Sequence, residues 1–489
     1  MPKIALFDLE GTLVENEFIV DLAMLNGNGS KVLQITEDAM SGKVDFNDAF
    51  RERISLVKGI AREDAEKLCK GAKVREGAHS LIQLLKEKGF ETAIVTNGFS
   101  VFAREIARQL GIEKVYANEL VFGREGKLED GTNTVNKEAV SKSYLEKGYS
   151  VIAFGDGAND LDMFKSASVS FALGNRPEVA SKANFRVDNF SEAGKIISKP
   201  IYLASKDVSM PEVEGNVLRF SNSEELGRRI ALANVLVMRT QKLDARTIEK
   251  GQNLKLIIRQ GVGLDGIDVD FAKSMRIEVV NTPLSTPSVA ELTVGMMIMA
   301  SRNLAVADST MKEGKWNKHE LLGTELFRKN LGIIGLGRVG RQVARVCREL
   351  GMRILYYDPY VEETIYKKRL YLEELLSEAD VLTLHCPLTE ETMHMLNMGN
   401  IKLMKKGAIL VNTARGKIIQ PEALEYALKE KIISSACLDV HYTEPPDYCS
   451  SLFKYENVVL SPHIGGNTVE AMERMKQRVK DILVLRGYK

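Results

Sequence analysis

Residues 331–344 read LGIIGLGRVGRQVA, and the three glycines of this stretch, Gly335, Gly337 and Gly340, follow an apolar run. In such a pattern the first glycine permits a tight turn after a strand, the second lets the backbone approach a pyrophosphate, and the third allows a helix to pack on the strand. The next apolar run ends before Asp358, 18 residues after Gly340, where a carboxylate can bind a ribose 2′-hydroxyl and repel a 2′-phosphate. The stretch therefore predicts a parallel α/β unit that binds NAD in preference to NADP.

The rest of the chain repeats this alternation of short apolar runs with longer helical patterns, which predicts an α/β fold built on mostly parallel sheets. Residues 15–80 break the alternation, because their pattern is helical throughout, and we expect a helical cap there. We predict one unit in residues 1–199, a second domain in residues 200–302 plus 464–489, and the dinucleotide-binding domain in residues 303–463.

Composition excludes several classes of protein. The chain of 489 residues has 67 Lys and Arg against 66 Asp and Glu, a net charge of +1 that argues against binding to nucleic acid or to an anionic membrane. Its 5 cysteines are scattered, so neither a disulfide framework nor a zinc site is expected. The N-terminus lacks the pattern of a secretory leader, and the longest apolar stretch, residues 289–300, is too short for a membrane span. We therefore expect a soluble, cytoplasmic protein.

Two predicted strands of residues 1–199 end in acidic residues. Asp8 and Glu10 follow the first apolar run, and Asp156 and Asp160 follow a later one. Because active sites of open α/β sheets lie at the carboxyl ends of the strands, we expect these side chains to share a site. One carboxylate there can attack as a nucleophile while another protonates a leaving group, and carboxylate oxygens suit Mg²⁺.

A cation and a loop of hydrogen-bond donors add a phosphate site to these carboxylates. Lys137 opens a predicted helix and can neutralise charge on a phosphoryl group; Lys142, one turn further along, is the alternative. Thr96, Asn97 and Gly98 follow another predicted strand and offer a hydroxyl and backbone N–H groups to phosphate oxygens. The motifs together predict phosphoryl transfer.

In this order the motifs resemble the haloacid dehalogenase superfamily and, within it, the phosphoserine phosphatases, over essentially all of residues 1–199. The resemblance implies that Asp8 is the nucleophile, that Glu10 is the general acid and base, and that Lys137 neutralises charge. It further implies that Mg²⁺ is bound by Asp8, Asp156 and the backbone carbonyl of Glu10, with Asp160 in support. The substrate-binding residues that it implies, the first two for the amino and carboxylate groups of the substrate, are Glu17, Arg53, Thr96, Asn97, Gly98 and Asn159.

Three residues depart from the usual pattern of the phosphoserine phosphatases. Glu10 stands where aspartate is usual, and some of the minority of relatives with this glutamate also transfer phosphate to homoserine. Thr96 and Asn97 replace the more usual Ser-Gly. Hydrolysis of phosphoserine and transfer of its phosphate to homoserine therefore both stay open.

Three charged residues follow predicted strands in the second half of the chain. Arg415 can bind a substrate carboxylate, His463 can take the proton of a hydroxyl, and Glu444 can orient the imidazole and raise its basicity. Their order after the dinucleotide motif predicts hydride transfer to or from a hydroxy acid.

The motifs NTARG (412–416), DVHYTEP (439–445) and PHIGG (462–466) give residues 235–489 a resemblance to the D-isomer-specific 2-hydroxyacid dehydrogenases, a two-domain fold of Rossmann type. The resemblance implies that Arg415, Glu444 and His463 are catalytic and that Asp439 holds the nicotinamide carboxamide. The other cofactor-binding residues that it implies are Val262, Gly335, Gly337, Arg338, Val339, Gly340, Asp358, Cys386 and Thr413.

A narrower resemblance to 3-phosphoglycerate dehydrogenase rests on residues 311–316 (MKEGKW) and 323–326 (GTEL) and implies that Arg239 binds an anionic substrate. Ser285 and Thr286 stand where relatives have Gly-Asn, so the substrate contacts of that loop are not carried over. Only 26 residues follow His463, so no C-terminal regulatory domain is expected.

Together the two resemblances imply a bifunctional enzyme of serine biosynthesis that acts on phosphoserine and on 3-phosphoglycerate, uses Mg²⁺ and NAD, and depends on a separate transaminase for the step between. A homodimer is expected from the dehydrogenase family. The alternatives are a phosphoserine:homoserine phosphotransferase fused to a glyoxylate or hydroxypyruvate reductase, and an NAD-sensing interaction module.

Overall fold

Parallel sheets dominate the computed structural model, which describes residues 2–40, 43–362 and 365–488. Within those ranges the strands form a six-stranded, a five-stranded and a seven-stranded sheet and a two-stranded hairpin. The strand pairs of the three larger sheets are parallel, and those of the hairpin are antiparallel. This confirms the predicted α/β fold class.

The first sheet occupies the N-terminal part of the chain. From edge to edge its strands are β3 (Lys114–Asn118), β2 (Phe90–Phe99), β1 (Lys3–Phe7), β6 (Ser150–Gly155), β7 (Val169–Leu173) and β8 (Phe185–Val187). The helices around it are α5 (Ala78–Glu87), α6 (Ser100–Leu110), α7 (Lys137–Glu146), α8 (Leu161–Ser166), α9 (Pro177–Ala180) and α10 (Phe190–Ser198). Because β1 and β6 are neighbours, the acidic residues that follow them lie at the same edge of the sheet.

An aromatic stack forms the centre of this unit's core. Phe7, Phe154 and Phe171 lie on the adjacent strands β1, β6 and β7, with ring centroids 4.6 and 4.8 Å apart. All three rings are buried. A parallel sheet covered on both faces favours such continuous apolar runs, and stacked aromatic pairs add about 0.5–1.5 kcal/mol beyond their buried area.

Helices cover the carboxyl edge of this sheet, as the helical pattern of residues 15–80 predicts. They are α1 (Phe18–Met24), α2 (Gly29–Met40), α3 (Phe46–Val57) and α4 (Arg62–Lys70). A hairpin of β4 (Leu120–Phe122) and β5 (Leu128–Gly131) supports the cap, because Leu128 N donates to Ile60 O at 2.9 Å and Gly59 N donates to Leu128 O at 2.8 Å. The sequence analysis missed this hairpin, whose strands are three and four residues long.

The second sheet has the strand order β10 (Asn216–Phe220), β9 (Ile201–Ser205), β11 (Val235–Met238), β12 (Leu256–Arg259) and β13 (Glu278–Asn281). The helices of this part are α11 (Ser223–Arg229), α12 (Ala245–Glu249) and α13 (Val269–Ser274). The chain returns to this sheet at its end, because Val479 and Ile482 of α19 (Val469–Leu485) share a core with Tyr202 and Val235.

The third sheet runs β16 (Lys367–Lys368), β15 (Arg353–Tyr357), β14 (Asn330–Ile334), β17 (Val381–Leu384), β18 (Ala408–Asn412), β19 (Ile433–Leu438) and β20 (Val458–Leu460). Its helices are α14 (Thr286–Ser301), α15 (Leu304–Lys312), α16 (Arg338–Glu349), α17 (Leu372–Glu378) and α18 (Pro421–Lys429). Met296 and Met297 of α14 share a core with Ile333 and Val343. The predicted boundary at residue 302 thus separates α14 from the sheet on which it packs.

Among the described residues, no single helix has both the length and the apolar composition of a membrane span. The pair α14 and α15, bent by 67° at their junction, meets that test only when the two are taken together.

Replacing Phe154 by alanine is expected to lower the free energy of unfolding of the first unit by about 3–5 kcal/mol, because the central ring of the stack is lost and a cavity remains. Urea denaturation of the full chain, followed by circular dichroism, measures the change. Leu25→Ala, at a position that is 52% exposed, is the control and should cost less than about 1 kcal/mol. Equal losses in the two variants would contradict the central place of Phe154.

Candidate active sites

Three buried carboxylates meet where β1 and β6 end. Oxygen atoms of Asp8, Asp156 and Asp160 lie within 4.8 Å of one another. The hydroxyl of Thr12 donates to Asp156 Oδ1 at 2.9 Å and ties the two loops together. Gly11 has φ +80°, and a Cβ on it would lie 2.4 Å from Asp156 Oδ1, so this turn requires glycine. The structure therefore brings the predicted acidic residues into one cluster.

Lys137 lies inside this cluster. Its Nζ donates to Asp8 Oδ1 at 2.6 Å and to Asp160 Oδ1 at 2.7 Å. Lys137 is the first residue of α7, and the start of this helix sets its position. The Asn136 side chain accepts a hydrogen bond from Ala139 N at 2.9 Å and caps the helix there. Burial by itself would lower the pKa of Lys137, but the two carboxylate charges outweigh it and raise that pKa.

Lys142, the alternative to Lys137, lies outside the acidic cluster. Lys142 is exposed on the surface of α7 and pairs with Glu138 at 2.6 Å. Of the two candidates, only Lys137 contacts the acidic cluster.

The cluster suits a divalent cation bound by oxygen ligands. Both oxygens of Asp160 are engaged, since Oδ1 accepts from Lys137 and Oδ2 accepts from the backbone N–H groups of Asp156 and Gly157 at 3.0 Å. This leaves the carboxylates of Asp8 and Asp156 as the groups that could bind a cation, while Asp160 holds the loop. That the cation is Mg²⁺ stays a prediction. The contribution of the Glu10 backbone carbonyl stays a prediction.

Glu10 faces the cap. Its Oε1 accepts a hydrogen bond from Phe18 N at 2.8 Å, and a Cβ on Gly98 would lie 2.4 Å from Oε2. Burial, with the charge of Glu17 adding to it, raises the pKa of Glu10 to about 8. A carboxyl group that keeps its proton at neutral pH can protonate a leaving group.

The cap places a cation and an acid opposite the cluster. Arg53 and Glu17 line the same cavity as Asp8 and Glu10, and the volume of this cavity is about 50 Å³. The Arg53 side chain is buried and donates to Thr36 Oγ1 at 3.3 Å and to the Ala49 carbonyl at 3.2 Å. A substrate with one phosphate, one carboxylate and one ammonium group therefore has a partner for each.

The remaining predicted residues of this site also line the cavity. The Thr96 hydroxyl accepts from Gly98 N at 2.9 Å and shapes the loop after β2. The Asn97 side chain donates to the Val135 carbonyl at 3.1 Å, and Asn159 is exposed at the rim. Arg176, which the sequence analysis did not single out, lies with Nη1 3.5 Å from Asp156 Oδ2. No motif marks it, because α9 brings it there only in the folded chain.

The dinucleotide motif folds as its glycines predict. Gly335 has φ +90°, and a Cβ on it would lie 2.6 Å from Cys386 N; a Cβ on Gly340 would lie 2.2 Å from Gly335 O. A Cβ on Gly337 would meet no atom within 4 Å, so its surroundings are open where a pyrophosphate would approach. Arg338 is the first residue of α16 and Val339 the second, so both lie at the helix N-terminus, which favours an anion.

Asp358 follows β15 at the edge of this motif. Its Oδ2 accepts from Leu336 N at 2.8 Å and its Oδ1 accepts from Tyr360 N at 2.9 Å. These bonds hold the carboxylate beside the glycine turn, where a ribose would lie.

The other cofactor-binding residues of the sequence analysis lie on several loops. The Thr413 hydroxyl is buried, 2.9 Å from the Thr293 hydroxyl of α14. Cys386 follows β17, and Val262, in the loop after β12, has a side chain that is 45% exposed.

Asp439 holds the loop that bears His463. Its Oδ1 accepts from the Ser461 hydroxyl at 2.6 Å and from Ile464 N at 2.8 Å, and its Oδ2 accepts from Gly465 N at 2.8 Å. Asp439 therefore positions the histidine, and its contact with a nicotinamide stays a prediction.

His463 and Glu444 form a hydrogen-bonded pair in which Nδ1 lies 2.8 Å from Glu444 Oε2. Burial would raise the pKa of Glu444, but the hydrogen bond and charge of His463 lower it below its ordinary value. An ionised Glu444 holds the imidazole with its other nitrogen available and stabilises the imidazolium that forms when His463 takes a proton.

Arg415 reaches from β18 to the loops of the second sheet. Its Nε and Nη2 donate to Asp265 at 3.0–3.2 Å, and a Cβ on Gly263 would lie 1.7 Å from Nη2. Asp265, which the sequence analysis missed, thus fixes the guanidinium between the two sheets.

Two further arginines end strands of the second sheet. Arg239 follows β11 and its Nη1 donates to Asn467 Oδ1 at 3.4 Å, which puts it near the loop of His463. Arg259 ends β12, and its Nη1 is buried with no hydrogen-bond partner among the described residues. Burial lowers the pKa of Arg259, and Arg415 and Arg239 are close enough for their charges to contribute. The sequence analysis singled out Arg239 and missed Arg259, although both follow a short apolar run.

The two residues that depart from the relatives' Gly-Asn begin α14. Ser285 is buried, and a Cβ on Gly466 would lie 3.2 Å from the Ser285 Cβ. Thr286 is the first residue of the helix. This turn therefore lies against the loop that carries His463.

Two protein-family models match the chain. The model of the haloacid dehalogenase-like hydrolases matches residues 2–168, and that of the NAD-binding domain of D-isomer specific 2-hydroxyacid dehydrogenases matches residues 294–465. The second match begins inside α14, the helix that packs on the third sheet.

Curated relatives match the second half of the chain. Hydroxypyruvate reductase of Thermotoga maritima is 46% identical over 257 residues, which are 52% of this chain and 84% of that protein. D-3-Phosphoglycerate dehydrogenase of Methanocaldococcus jannaschii is 44% identical over 273 residues, 54% of this chain. The match spans 52% of that relative, about half of its length.

A solved structure, NAD-dependent formate dehydrogenase of Staphylococcus aureus in complex with NAD, is 30% identical with a TM-score of 0.53, and the match covers 58% of this chain and 94% of that one. With the glycine turn, the histidine–glutamate pair and the identity to the Thermotoga enzyme, these matches show the family. The chain belongs to the D-isomer specific 2-hydroxyacid dehydrogenases and carries a haloacid dehalogenase-like hydrolase domain at its N-terminus.

Proposed function

We propose that the chain is a bifunctional enzyme of serine biosynthesis, a Mg²⁺-dependent phosphoserine phosphatase joined to an NAD-dependent 3-phosphoglycerate dehydrogenase. The observation that supports the first activity is a cavity lined by Asp8, Arg53 and Glu17, with Lys137 paired to Asp8 behind its wall. That arrangement matches the phosphate, carboxylate and ammonium groups of phosphoserine. The observation that supports the second is the buried Nη1 of Arg259, which has no hydrogen-bond partner among the described residues and lies near Arg239 and Arg415. Asp265 already pairs with Arg415, so Arg259 and Arg239 are the cations left for a second anionic group.

In the phosphatase reaction Asp8 attacks the phosphorus atom and forms an aspartyl phosphate. Lys137 offsets the charge that develops on the phosphoryl oxygens, and Thr96 and Gly98 bind those oxygens. Bound Mg²⁺ adds electrostatic stabilisation of the same charge. Glu10 donates its proton to the serine oxygen as the bond breaks and then takes a proton from the water that hydrolyses the aspartyl phosphate.

In the dehydrogenase reaction Arg415 binds the substrate carboxylate beside the reacting carbon. His463 takes the hydroxyl proton, and Glu444 stabilises the resulting imidazolium. The glycine turn of Gly335, Gly337 and Gly340 and the carboxylate of Asp358 would hold NAD, which would supply the acceptor for the hydride that leaves the substrate carbon. The buried, unpartnered Nη1 of Arg259 and the guanidinium of Arg239 bind the phosphate at the far end of the substrate.

A second candidate for the dehydrogenase is reduction of hydroxypyruvate, favoured by the 46% identity to the Thermotoga enzyme. The phosphatase domain has its own alternative, transfer of phosphate to homoserine, which rests on Glu10 in place of aspartate. Assays on 3-phosphoglycerate, hydroxypyruvate and glyoxylate, and on phosphoserine with and without homoserine, separate these activities.

We also propose a homodimer that acts in the cytoplasm with a separate transaminase as pathway partner. Helix α15 has no buried residue, and large apolar side chains near it are exposed, among them Leu304 at 48%, Met311 at 55% and Trp316 at 78%. Several large apolar side chains exposed in one segment of the chain favour an interface there. A monomer in light scattering at micromolar concentration would contradict the dimer.

Asp8→Asn is expected to reduce phosphoserine hydrolysis by orders of magnitude, because the amide keeps the shape of the carboxylate and cannot attack phosphorus. Release of phosphate from phosphoserine with Mg²⁺ measures the effect. NAD-linked activity of the same preparation is the control and should not change, since Asp8 lies in the other unit. Loss of both activities would contradict two independent sites.

Wild-type protein is expected to use NAD far better than NADP, because the Asp358 carboxylate repels a 2′-phosphate. Asp358→Ala should narrow the difference in kcat/KM between the two cofactors. Asp380→Ala, which removes a carboxylate outside the glycine turn, is the matched control. Equal kcat/KM values of the wild-type enzyme with NAD and with NADP would show that Asp358 does not distinguish the two ribose groups.

Arg239→Ala is expected to lower kcat/KM for 3-phosphoglycerate about ten- to a hundredfold, since a charged hydrogen bond is worth about 1.5–3 kcal/mol. Hydroxypyruvate and glyoxylate, which lack the phosphate, should be affected much less. Arg246→Ala, an exposed arginine on α12, is the matched control. An equal loss of kcat/KM on phosphorylated and unphosphorylated substrates would show that Arg239 does not bind the phosphate.

A further inference from the structure

A cavity of about 390 Å³ lies between the first and second sheets. Its lining includes Lys3 and Phe90, which begin β1 and β2, and Ile201, which begins β9. Asn234 and Asn253 line it from the segments just before β11 and β12. The acidic cluster follows the carboxyl ends of the first sheet, and Arg239 and Arg259 follow or end strands of the second. This cavity therefore lies at the opposite ends of those strands, away from the acidic cluster and from the two arginines.

Apolar side chains form most of the wall. Phe90, Ile152, Val169, Phe171 and Phe185 come from the first sheet, and Ile196 and Ile197 from α10, with Leu232 from the second unit. The segment 198–201, which joins the two units, passes along the same wall. A volume within the range of small-molecule pockets and an aromatic wall favour a ligand with an apolar body.

The charged groups of the cavity are all of one sign. Lys3, Lys88 and Lys199 line it, and no aspartate or glutamate does. Lys3 Nζ lies 5.5 Å from the centre of the Phe90 ring and donates to the Lys88 carbonyl at 3.4 Å. No carboxylate is within 4.0 Å of the amino groups of these three lysines among the described residues. Burial and the charge of Lys88 lower the pKa of Lys3, as expected of cations held together without a counter-charge.

We propose that this cavity is a binding site for a small organic anion with an apolar body, such as a carboxylate that bears an aliphatic or aromatic group. The anionic end lies beside Lys3 and Lys88 and relieves the repulsion between them, and the apolar body lies on Phe90, Phe171 and Phe185. Since both units and the segment between them line the cavity, such a ligand stabilises their contact. The proposal is independent of the substrates of the two active sites.

Isothermal titration calorimetry of the full chain at low ionic strength tests the site with octanoate as the probe. Octanoate is expected to bind one site per chain, whereas acetate, which lacks the apolar body, and octan-1-ol, which lacks the charge, bind at least tenfold more weakly. Lys3→Gln and Lys88→Gln should each raise the Kd of octanoate about two- to tenfold, since partly exposed charge pairs are weak. Lys182→Gln, an exposed lysine of the same unit outside the cavity, is the matched control and should leave the Kd unchanged.

Three results would overturn the proposal: no binding of octanoate, binding of acetate or octan-1-ol as tight as that of octanoate, or equal octanoate affinity in wild type and both lysine variants. Lys88 is exposed, so its substitution keeps the test valid even where Lys3→Gln fails to fold. Both enzymatic activities are measured on each variant and should be retained. A loss of octanoate binding with unchanged activities then concerns the cavity alone and not the proposed enzymatic functions.

Discussion

The parallel pairing of neighbouring strands is the constraint on which both active sites depend. Leu6 of β1 pairs with Ala153 of β6, so the loops that follow these strands start side by side. In the third sheet β14 pairs in the same way with β17, which puts the glycine turn beside the loop of Cys386. Residues far apart in the chain meet because the carboxyl ends of parallel strands share an edge. Without this pairing neither constellation would exist.

Buried charge makes the first site both stable and reactive. Lys137 joins β1, α7 and the loop after β6 through two carboxylates, and removing one partner of such a pair typically costs about 3–5 kcal/mol because a buried charge is left unpaired. Burial raises the pKa of Glu10 in spite of the opposing charge of Arg53, so this carboxyl group holds its proton. Burial and the charge of Asp160 also raise the pKa of Asp8, and the charge of Lys137 opposes that rise. Lys137 itself keeps its charge because Asp8 and Asp160 pair with it.

The second site is assembled across two sheets. Arg415 follows β18 of the third sheet, and its ion-pair partner Asp265 lies in the loop after β12 of the second sheet. His463 is held by Asp439 at the end of the third sheet, while α19, which follows it, packs on the second. The contact of Arg239 with the loop of His463 and that of Arg415 with Asp265 therefore depend on how the second and third sheets pack together, rather than on any one motif.

The sequence by itself determined the α/β class, the cap and the residue types at the strand ends, because each depends on local periodicity and on short motifs such as the glycine turn. It did not show which other side chains those residues contact. Lys137, and not Lys142, contacts Asp8 because only that side of α7 faces the acidic cluster. In the same way, the orientation of its loop lets Asp439 hold the loop of His463. The hairpin of β4 and β5, the packing of α14 on the third sheet, and the positions of Arg176, Arg259 and Asp265 became visible only in the folded chain, since none of these contacts leaves a periodic pattern or a short motif in the sequence.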